Sequence, residues 1–146
     1  MKRIRPAVIL IENNHVLLMK YQYGNQFLYN FPGGNMDEGE TMPETIVREC
    51  QEELGIEVEV LDFAFLGEIE ANEYRVASLH PVFFGKILGG IPVIQHKETI
   101  SMEVVWVKLE ELSSLHVYPN ISIALIATFI TGKTGKYLGI IHQPWI

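Results

Sequence analysis

The chain has 146 residues, of which 48% are hydrophobic and 20% charged, so its size and composition fit one globular domain and exclude wholesale disorder. The formal net charge of -7 excludes a protein that holds the nucleic-acid backbone with a basic face. A single cysteine, Cys50, excludes an intramolecular disulfide and indicates a reducing compartment. We therefore expect one cytoplasmic domain over residues 1–146, with no nucleic-acid partner.

The first part of the chain alternates strand signals with turn signals. Three strands are predicted, over residues 4–11, 15–23 and 27–31, because these segments are rich in β-branched and aromatic side chains. Gly33 and Gly34 then open a loop that runs to about Glu40. Glycine at these positions would let the backbone come close to a bound ion or phosphate.

A helix is predicted over residues 41–54. Thr41 and Glu44 have the capping-box spacing, and Gly55 is the residue type that commonly ends a helix. At about 100° per residue, the apolar residues share one face, which comprises Ile46, Val47, Cys50 and Leu54. Three acidic residues share another face, namely Glu49, Glu52 and Glu53. Arg48 lies one turn before Glu52 and can brace it.

The second part of the chain again favours strands. The predicted elements are strands at 57–69, 75–88 and 102–108, a short helical turn at 109–115, a second helix at 121–131 and an edge strand at 136–146. Pro81 indicates a bulge or an exposed edge, and Pro119 with Asn120 is expected to cap the second helix. The order of elements predicts an α+β fold, an α/β/α sandwich with a mixed β-sheet between helices. The longest apolar run, residues 121–130, is too short to span a bilayer, so no membrane partner is expected.

The excess negative charge is concentrated in one segment. Residues 34–56 contain seven acidic residues and one base, Arg48, which gives a local net charge of -6. Crowded carboxylates repel one another unless positive charge lies among them. Carboxylate oxygens suit Mg²⁺ or Mn²⁺, and the absence of cysteine or histidine partners in the pattern argues against zinc.

The same segment resembles the sequence signature of a known family. Its residues in order are Gly34, five residues, Glu40, seven residues, Arg48, Glu49, Cys50, Gln51, Glu52, Glu53, Leu54, Gly55 and Ile56. This pattern is similar to the Nudix box, G-x5-E-x7-R-E-U-x-E-E-x-G-U with U apolar, and every fixed position is filled. Cys50 stands where a larger aliphatic residue is usual, which bears on local packing and not on chemistry.

The resemblance implies hydrolysis of a nucleoside diphosphate linked to another group, with water attacking phosphorus in the presence of Mg²⁺ or Mn²⁺. It also implies that Glu49, Glu52 and Glu53 are metal ligands, with the Gly34 carbonyl as a possible backbone ligand. Arg48 would orient Glu49 or Glu52 by a salt bridge. Glu40 would either support the loop or bind a further ion.

The residue that deprotonates water varies within the Nudix family, and here the sequence leaves it open. The candidates are Glu53 within the box, and Glu98 and Glu103 outside it. Glu53 is favoured as a metal ligand, so the base stays open between Glu98 and Glu103. Glu103 precedes Trp106 in a strand that resembles the acid-before-tryptophan strand of the family, whereas Glu98 lies in a more loop-like stretch. Either could also be a surface acid.

The sequence encodes substrate choice weakly. Arg5, Tyr74, Gly33 and Gly34 are candidate substrate contacts, and Arg75 is a further candidate for phosphate. Tyr74 follows Ile56 at a spacing that resembles diadenosine polyphosphate hydrolases. The proline that marks ADP-ribose enzymes of the family is absent near residues 71–72. The expected substrate is therefore a nucleoside triphosphate or a dinucleoside polyphosphate.

Two other functions are compatible with such a box. One is a Nudix-fold module that senses a nucleotide without cutting it, although such modules usually lose acidic residues of the box. The other is an RNA cap hydrolase, which the net charge of -7 disfavours. The family resemblance also favours a homodimer.

Overall fold

The computed structural model describes residues 1–145, which form nine β-strands, two α-helices and one short 3₁₀ helix. The strands are β1 (Arg3–Ile4), β2 (Ala7–Glu12), β3 (His15–Tyr23), β4 (Gln26–Asn30), β5 (Glu57–Ile69), β6 (Ser78–Gly89), β7 (Glu103–Lys108), β8 (Val117–Tyr118) and β9 (Lys136–Ile140). The helices are α1 (Met42–Leu54) and α2 (Ser122–Thr131), and the 3₁₀ helix covers Leu109–Ser114. The predicted succession of elements is observed, with the short strands β1 and β8 added.

The strands of residues 1–145 form one mixed sheet. Its order is β8-β4-β3-β2-β6-β5-β9, with β1 beside β6 and β7 beside β3. β2 runs parallel to β6, whereas β5 runs antiparallel to β6 and β3 runs antiparallel to β4 and β7. The end of β2 pairs with the start of β3 at Ile11–Val16 and Glu12–His15. β2 therefore joins the two halves of the sheet.

Different helices cover the two faces of this sheet. The side chains of β2 alternate between two buried clusters, as expected for a strand that is covered on both sides. Val8 lies in the cluster that includes the apolar face of α1. Ala7 and Ile9 lie in the cluster that includes Leu125 of α2. The predicted α+β fold, an α/β/α sandwich with a mixed sheet, is confirmed.

Helix α1 begins and ends where the sequence predicts. The Glu44 backbone N–H donates to the Thr41 hydroxyl at 3.3 Å, and the Thr41 N–H donates back to the Glu44 carboxylate at 3.1 Å. Gly55 ends the helix with φ of 66°, a conformation that costs glycine little. The predicted apolar face is wrong at Val47, which is 39% exposed. Thr45 is buried instead, because its hydroxyl donates to Glu40 in the preceding loop.

Two prolines explain where the strands differ from the prediction. The strand predicted over residues 4–11 is divided into β1 and β2 at Pro6, which has no N–H to donate to a neighbouring strand. Pro81 does not mark an exposed edge, because β6 is an interior strand, but it lies next to Val82, where the pairing of β6 with β5 is irregular between Phe63 and Phe65. It lies between the residues of β6 that pair with β1 and those that pair with β2. The break between β1 and β2 therefore lies opposite Pro81.

Three further boundaries differ from the prediction. The strand predicted from residue 75 begins at Ser78, because the Asn72 carboxamide accepts from two backbone N–H groups and forms a turn. Helix α2 starts without a side-chain cap, since Asn120 donates to the carbonyl of His142 instead. The edge strand predicted over residues 136–146 is observed at Lys136–Ile140, and residue 146 lies outside the described residues.

Candidate active site

Arg48 on α1 contacts carboxylates of its own helix and of the box loop, which we define as residues 33–40. Its Nε lies 2.6 Å from Glu40 Oε2, and its Nη1 lies 3.0 Å from Glu49 Oε1 and 3.1 Å from Glu52 Oε2. Its Nη2 also donates to the carbonyl of Asn35 at 3.2 Å. The guanidinium therefore ties the box loop to the acidic face of α1.

The Glu40 carboxylate is surrounded by donors of the chain itself. It accepts from the Asp37 backbone N–H and the Thr45 hydroxyl, each at 2.9 Å, in addition to Arg48. The Arg48 guanidinium, helped by the Asp37 N–H, lowers the pKa of Glu40 to about 2. Because these donors engage both carboxylate oxygens, the geometry favours a loop-supporting role for Glu40 over a role as an ion ligand.

The other three glutamates carry negative charge that Arg48 compensates only in part. Burial raises the pKa of Glu49, and burial together with the neighbouring Glu49 raises the pKa of Glu53 to about 7. Arg48 donates to Glu49 and Glu52, whereas no side chain within residues 1–145 donates a hydrogen bond to Glu53. This face of α1 would therefore be stabilised by additional positive charge.

Two glycines let the backbone of the box loop lie close to Pro6 and to the Glu49 side chain. A Cβ atom on Gly34 would lie 2.4 Å from Cδ of Glu49, and one on Gly33 would lie 2.1 Å from the carbonyl oxygen of Pro6. The Gly34 N–H donates to that same carbonyl at 3.2 Å. The backbone of Gly34 therefore lies beside the Glu49 carboxylate, in a space that a side chain would fill.

The chemistry of these donors fits a hard divalent cation. Carboxylate and backbone carbonyl oxygens are the ligands that Mg²⁺ and Mn²⁺ prefer, and the α1 face offers three carboxylates with excess negative charge. The carboxylates do not form a finished cage, because in residues 1–145 no three His, Cys, Asp or Glu side chains converge on one point. Arg48 instead attracts Glu49 and Glu52. Rotation of these side chains is needed to gather them around an ion.

The two candidate bases outside the box have different surroundings. Glu98 lies in the segment between β6 and β7, which is bound to the end of α1 by a 2.9 Å hydrogen bond from the Gln95 N–H to the Glu53 carbonyl. Glu98 and Glu52 line the same surface cleft. Glu103 lies at the start of β7, where its carboxylate pairs with Lys20 at 3.3 Å. The fold thus places Glu98 near α1, whereas Glu103 forms an ion pair with Lys20.

A cleft of about 510 Å³ opens beside the box loop, and we call it the arginine cleft. Three arginines line it, Arg3, Arg5 and Arg75, and among residues 1–145 no acidic side chain lines it. Asn35 also lines the cleft, and its carbonyl accepts the hydrogen bond from Arg48. A positively charged cleft therefore adjoins the most acidic part of the chain.

Arg5 lies between the box loop and the aromatic lining of the arginine cleft. Its Nη2 donates to the Gly33 carbonyl at 3.4 Å, and its Cζ lies 5.0 Å from the centre of the Tyr118 ring. Its Nη1 is buried without a hydrogen-bond partner in residues 1–145, and so is Oδ1 of Asn30, which also lines the cleft. Both residues line the cleft, while the two atoms themselves are buried and lack a protein partner.

The arginine cleft combines predicted contacts with residues that the sequence did not indicate. Arg5 and Tyr74 were predicted and both line it, Tyr74 being 84% exposed. Asn30, Tyr118 and Trp145 were missed. Asn30 faces Tyr118 through the pairing of β4 with the two-residue strand β8, which no local pattern indicates. For Trp145 the only available signal was a large aromatic residue in a polar tail.

No helix within residues 1–145 combines the length and apolar character that crossing a membrane requires.

The family model described as NUDIX domain matches residues 1–129. A "Putative 8-oxo-dGTP diphosphatase" of Bacillus subtilis is 31% identical over 114 residues, which cover 78% of this chain and 70% of that protein. The "CTP pyrophosphohydrolase" of Escherichia coli is 27% identical over 139 residues, which cover 93% of this chain and 98% of that protein.

The fold is likewise similar to solved structures. The solution structure of the Escherichia coli ORF135 protein matches with a TM-score of 0.71 and 21% identity, covering 93% of this chain and 96% of that one. Nudix hydrolases generally use divalent metal cations and act on small nucleotide substrates. The complete box, the family match and the named relatives together show that the chain belongs to the NUDIX domain family and is a Nudix pyrophosphohydrolase.

Proposed function

We propose that the chain hydrolyses a pyrophosphate bond of a nucleoside triphosphate, with Mg²⁺ or Mn²⁺ as cofactor. The observation that carries this proposal is the arginine cleft, which adjoins the acidic face of α1 at Asn35. A nucleotide can thus be held in this cleft while its scissile pyrophosphate bond lies against the carboxylates of α1. Relatives named for CTP and for 8-oxo-dGTP support the triphosphate class.

In this proposal Glu49, Glu52 and Glu53 hold the cation together with the Gly34 carbonyl. When bound, the cation neutralises phosphate charge and lowers the pKa of coordinated water. Arg48 orients Glu49 and Glu52, to both of which it donates hydrogen bonds. Because Glu40 is fully engaged by donors, we assign it to the support of the loop.

The arginine cleft binds the substrate in this proposal. Arg5 contributes positive charge to the lining of the cleft, and Gly33 holds its guanidinium in place through its carbonyl. In the reaction a water oxygen bonds to phosphorus, the bridging oxygen leaves with the electron pair, and a carboxylate takes the proton of the water. Tyr74 also lines this cleft, and its spacing from the box resembles that of diadenosine polyphosphate hydrolases. A dinucleoside polyphosphate is therefore the second candidate substrate class.

The general base is assigned by comparing two single variants. We propose Glu98, because it shares a cleft with Glu52 whereas Glu103 is paired with Lys20. We expect Glu98→Gln to lower kcat by about 100-fold, the typical contribution of a positioned base, and Glu103→Gln to change it by less than about two-fold. Steady-state rates with saturating metal provide the measurement. If neither variant slows kcat, the base lies within the box, with Glu53 as the candidate.

Metal removal and a substrate panel test the proposed function directly. We expect turnover of CTP or dGTP to stop in EDTA and to recover when excess Mg²⁺ or Mn²⁺ is added, because carboxylates alone repel a polyphosphate. Nucleoside triphosphates, dinucleoside polyphosphates, ADP-ribose and nucleotide sugars are compared by their released phosphate products. Undiminished turnover in the chelator would contradict the metal assignment. Binding of these nucleotides without any hydrolysis would contradict the proposed reaction.

A further inference from the structure

Residues 141–145 follow β9 and are held against the arginine cleft by several independent contacts. The Ile141 N–H donates to the Glu68 carbonyl at 2.7 Å, and its side chain is 9% exposed. The Gln143 carboxamide donates to the Val117 carbonyl at 3.0 Å and accepts from the Asn120 N–H at 2.8 Å. This segment lies beyond the family-matched residues 1–129, and these hydrogen bonds attach it to β5, to β8 and to the start of α2.

The anchored segment places Trp145 in the aromatic wall of the cleft. The centre of its ring lies 5.5 Å from that of Tyr118, and Cζ of Arg75 lies 4.0 Å from the Trp145 ring centre. The Asn72 turn fixes the backbone of Arg75. Trp145 therefore faces the same space as Arg5 and Asn30, whose buried Nη1 and Oδ1 atoms have no partner in the described residues.

These groups match the chemistry of a nucleobase. A planar aromatic ring offers a base a stacking surface, which is tolerant of base identity. An unpaired donor together with an unpaired acceptor suits a base edge, because each base presents acceptors beside donors. A phosphate, by contrast, offers only acceptors and would leave the Asn30 oxygen unpaired.

We propose that Trp145 is a substrate-binding residue that stacks on the nucleobase of the substrate, so that residues 141–145 complete the arginine cleft. The base lies against the wall formed by Trp145 and Tyr118, with its edge toward Arg5 and Asn30. This assignment rests on the proposed function, because it requires that the base and the phosphates at the carboxylates of α1 belong to the same nucleotide.

Kinetics with a base-containing and a base-free ligand test the proposal. For Trp145→Leu we expect the KM for CTP or dGTP to rise about ten-fold, as for the loss of one stacking contact, with kcat changed less than about two-fold. The inhibition constant of inorganic triphosphate, which has no base, should stay unchanged. Trp145→Phe keeps a smaller ring and should restore most of the affinity. Tyr137→Leu, an exposed aromatic residue of the adjacent β9, is the matched control and should behave as wild type.

Fluorescence supplies a readout that does not depend on turnover. The chain has two tryptophans, Trp106 and Trp145, and a stacked base quenches indole emission. We expect CMP or dGMP without added metal to quench wild type and Trp106→Phe, but not Trp145→Phe.

The outcomes separate this proposal from the proposed function. An unchanged KM in Trp145→Leu, or an equal weakening of nucleotide and inorganic triphosphate, would overturn the stacking role. The wild type could show Trp145-dependent quenching and yet hydrolyse no nucleotide. That result would support the stacking role and contradict only the proposed hydrolysis. A wild type that neither hydrolyses nor is quenched would overturn both.

Discussion

Glu53→Gln is expected to retain the fold and to lose more than 99% of metal-dependent turnover. Altering a residue that merely supports a metal ligand costs about 10–100-fold in affinity or activity, so removal of a ligand should exceed that range. The amide has nearly the shape of the carboxylate, but it lacks the charge that attracts a cation. Burial and the neighbouring Glu49 both raise the pKa of Glu53, so the charge of Glu53 is unfavourable in the folded protein. Removing that charge should therefore not lower the free energy of unfolding.

The measurement is kcat with saturating Mg²⁺, together with a urea unfolding curve for each protein. Glu38→Gln is the matched control, because Glu38 is an exposed glutamate of the same box loop and has no ion pair in the described residues. We expect this control to keep wild-type turnover. Full activity of Glu53→Gln would refute its assignment as a metal ligand.

Arg48→Gln is expected to impair both turnover and stability. Its guanidinium donates to Glu40, Glu49 and Glu52 and to a loop carbonyl, and the side chains of Glu40 and Glu49 are only 17% and 15% exposed. Without Arg48 these carboxylates repel one another and the box loop loses its attachment to α1. We therefore expect kcat to fall about 10–100-fold, as for other residues that orient metal ligands, and the urea midpoint to fall.

Arg48→Lys separates charge from geometry. Lysine keeps the positive charge, but its single ammonium cannot reproduce the planar guanidinium that spans several acceptors. We expect its stability and turnover to lie between those of wild type and Arg48→Gln. Turnover of Arg48→Gln within about two-fold of wild type would show that the ion pairs in this network do not position the site.

The sequence sufficed for those parts of the fold that local signals specify. The capping box at Thr41 and Glu44, the helix-ending Gly55 and the β-branched and aromatic residues of the strands each act within a few residues, and the helix and strands that they predict are observed. The pairing of β1 with β6 and of β8 with β4 depends on distant partners. Such long-range pairing has no signature in a short window of sequence.

The candidate site divides in the same way. The box residues are close together in the chain and share one helix, so helical spacing was enough to place Glu49, Glu52 and Glu53 on one face. The arginine cleft assembles residues from the start, the middle and the tail of the chain, such as Arg5, Arg75 and Trp145. Only the folded sheet brings these side chains together, and the sequence indicated Arg5, Tyr74 and Arg75 but not Trp145.

The two attachments of the box loop give a physical reason for its length. At one end Gly34 donates to the Pro6 carbonyl, and at the other end Glu40 is held by Arg48. An inserted residue would push Glu40 away from the guanidinium, while a deletion would pull Gly34 away from Pro6. The interval of five residues between Gly34 and Glu40 is thus set by the distance between two fixed anchors, and this part of the chain tolerates changes of side chain more readily than changes of length.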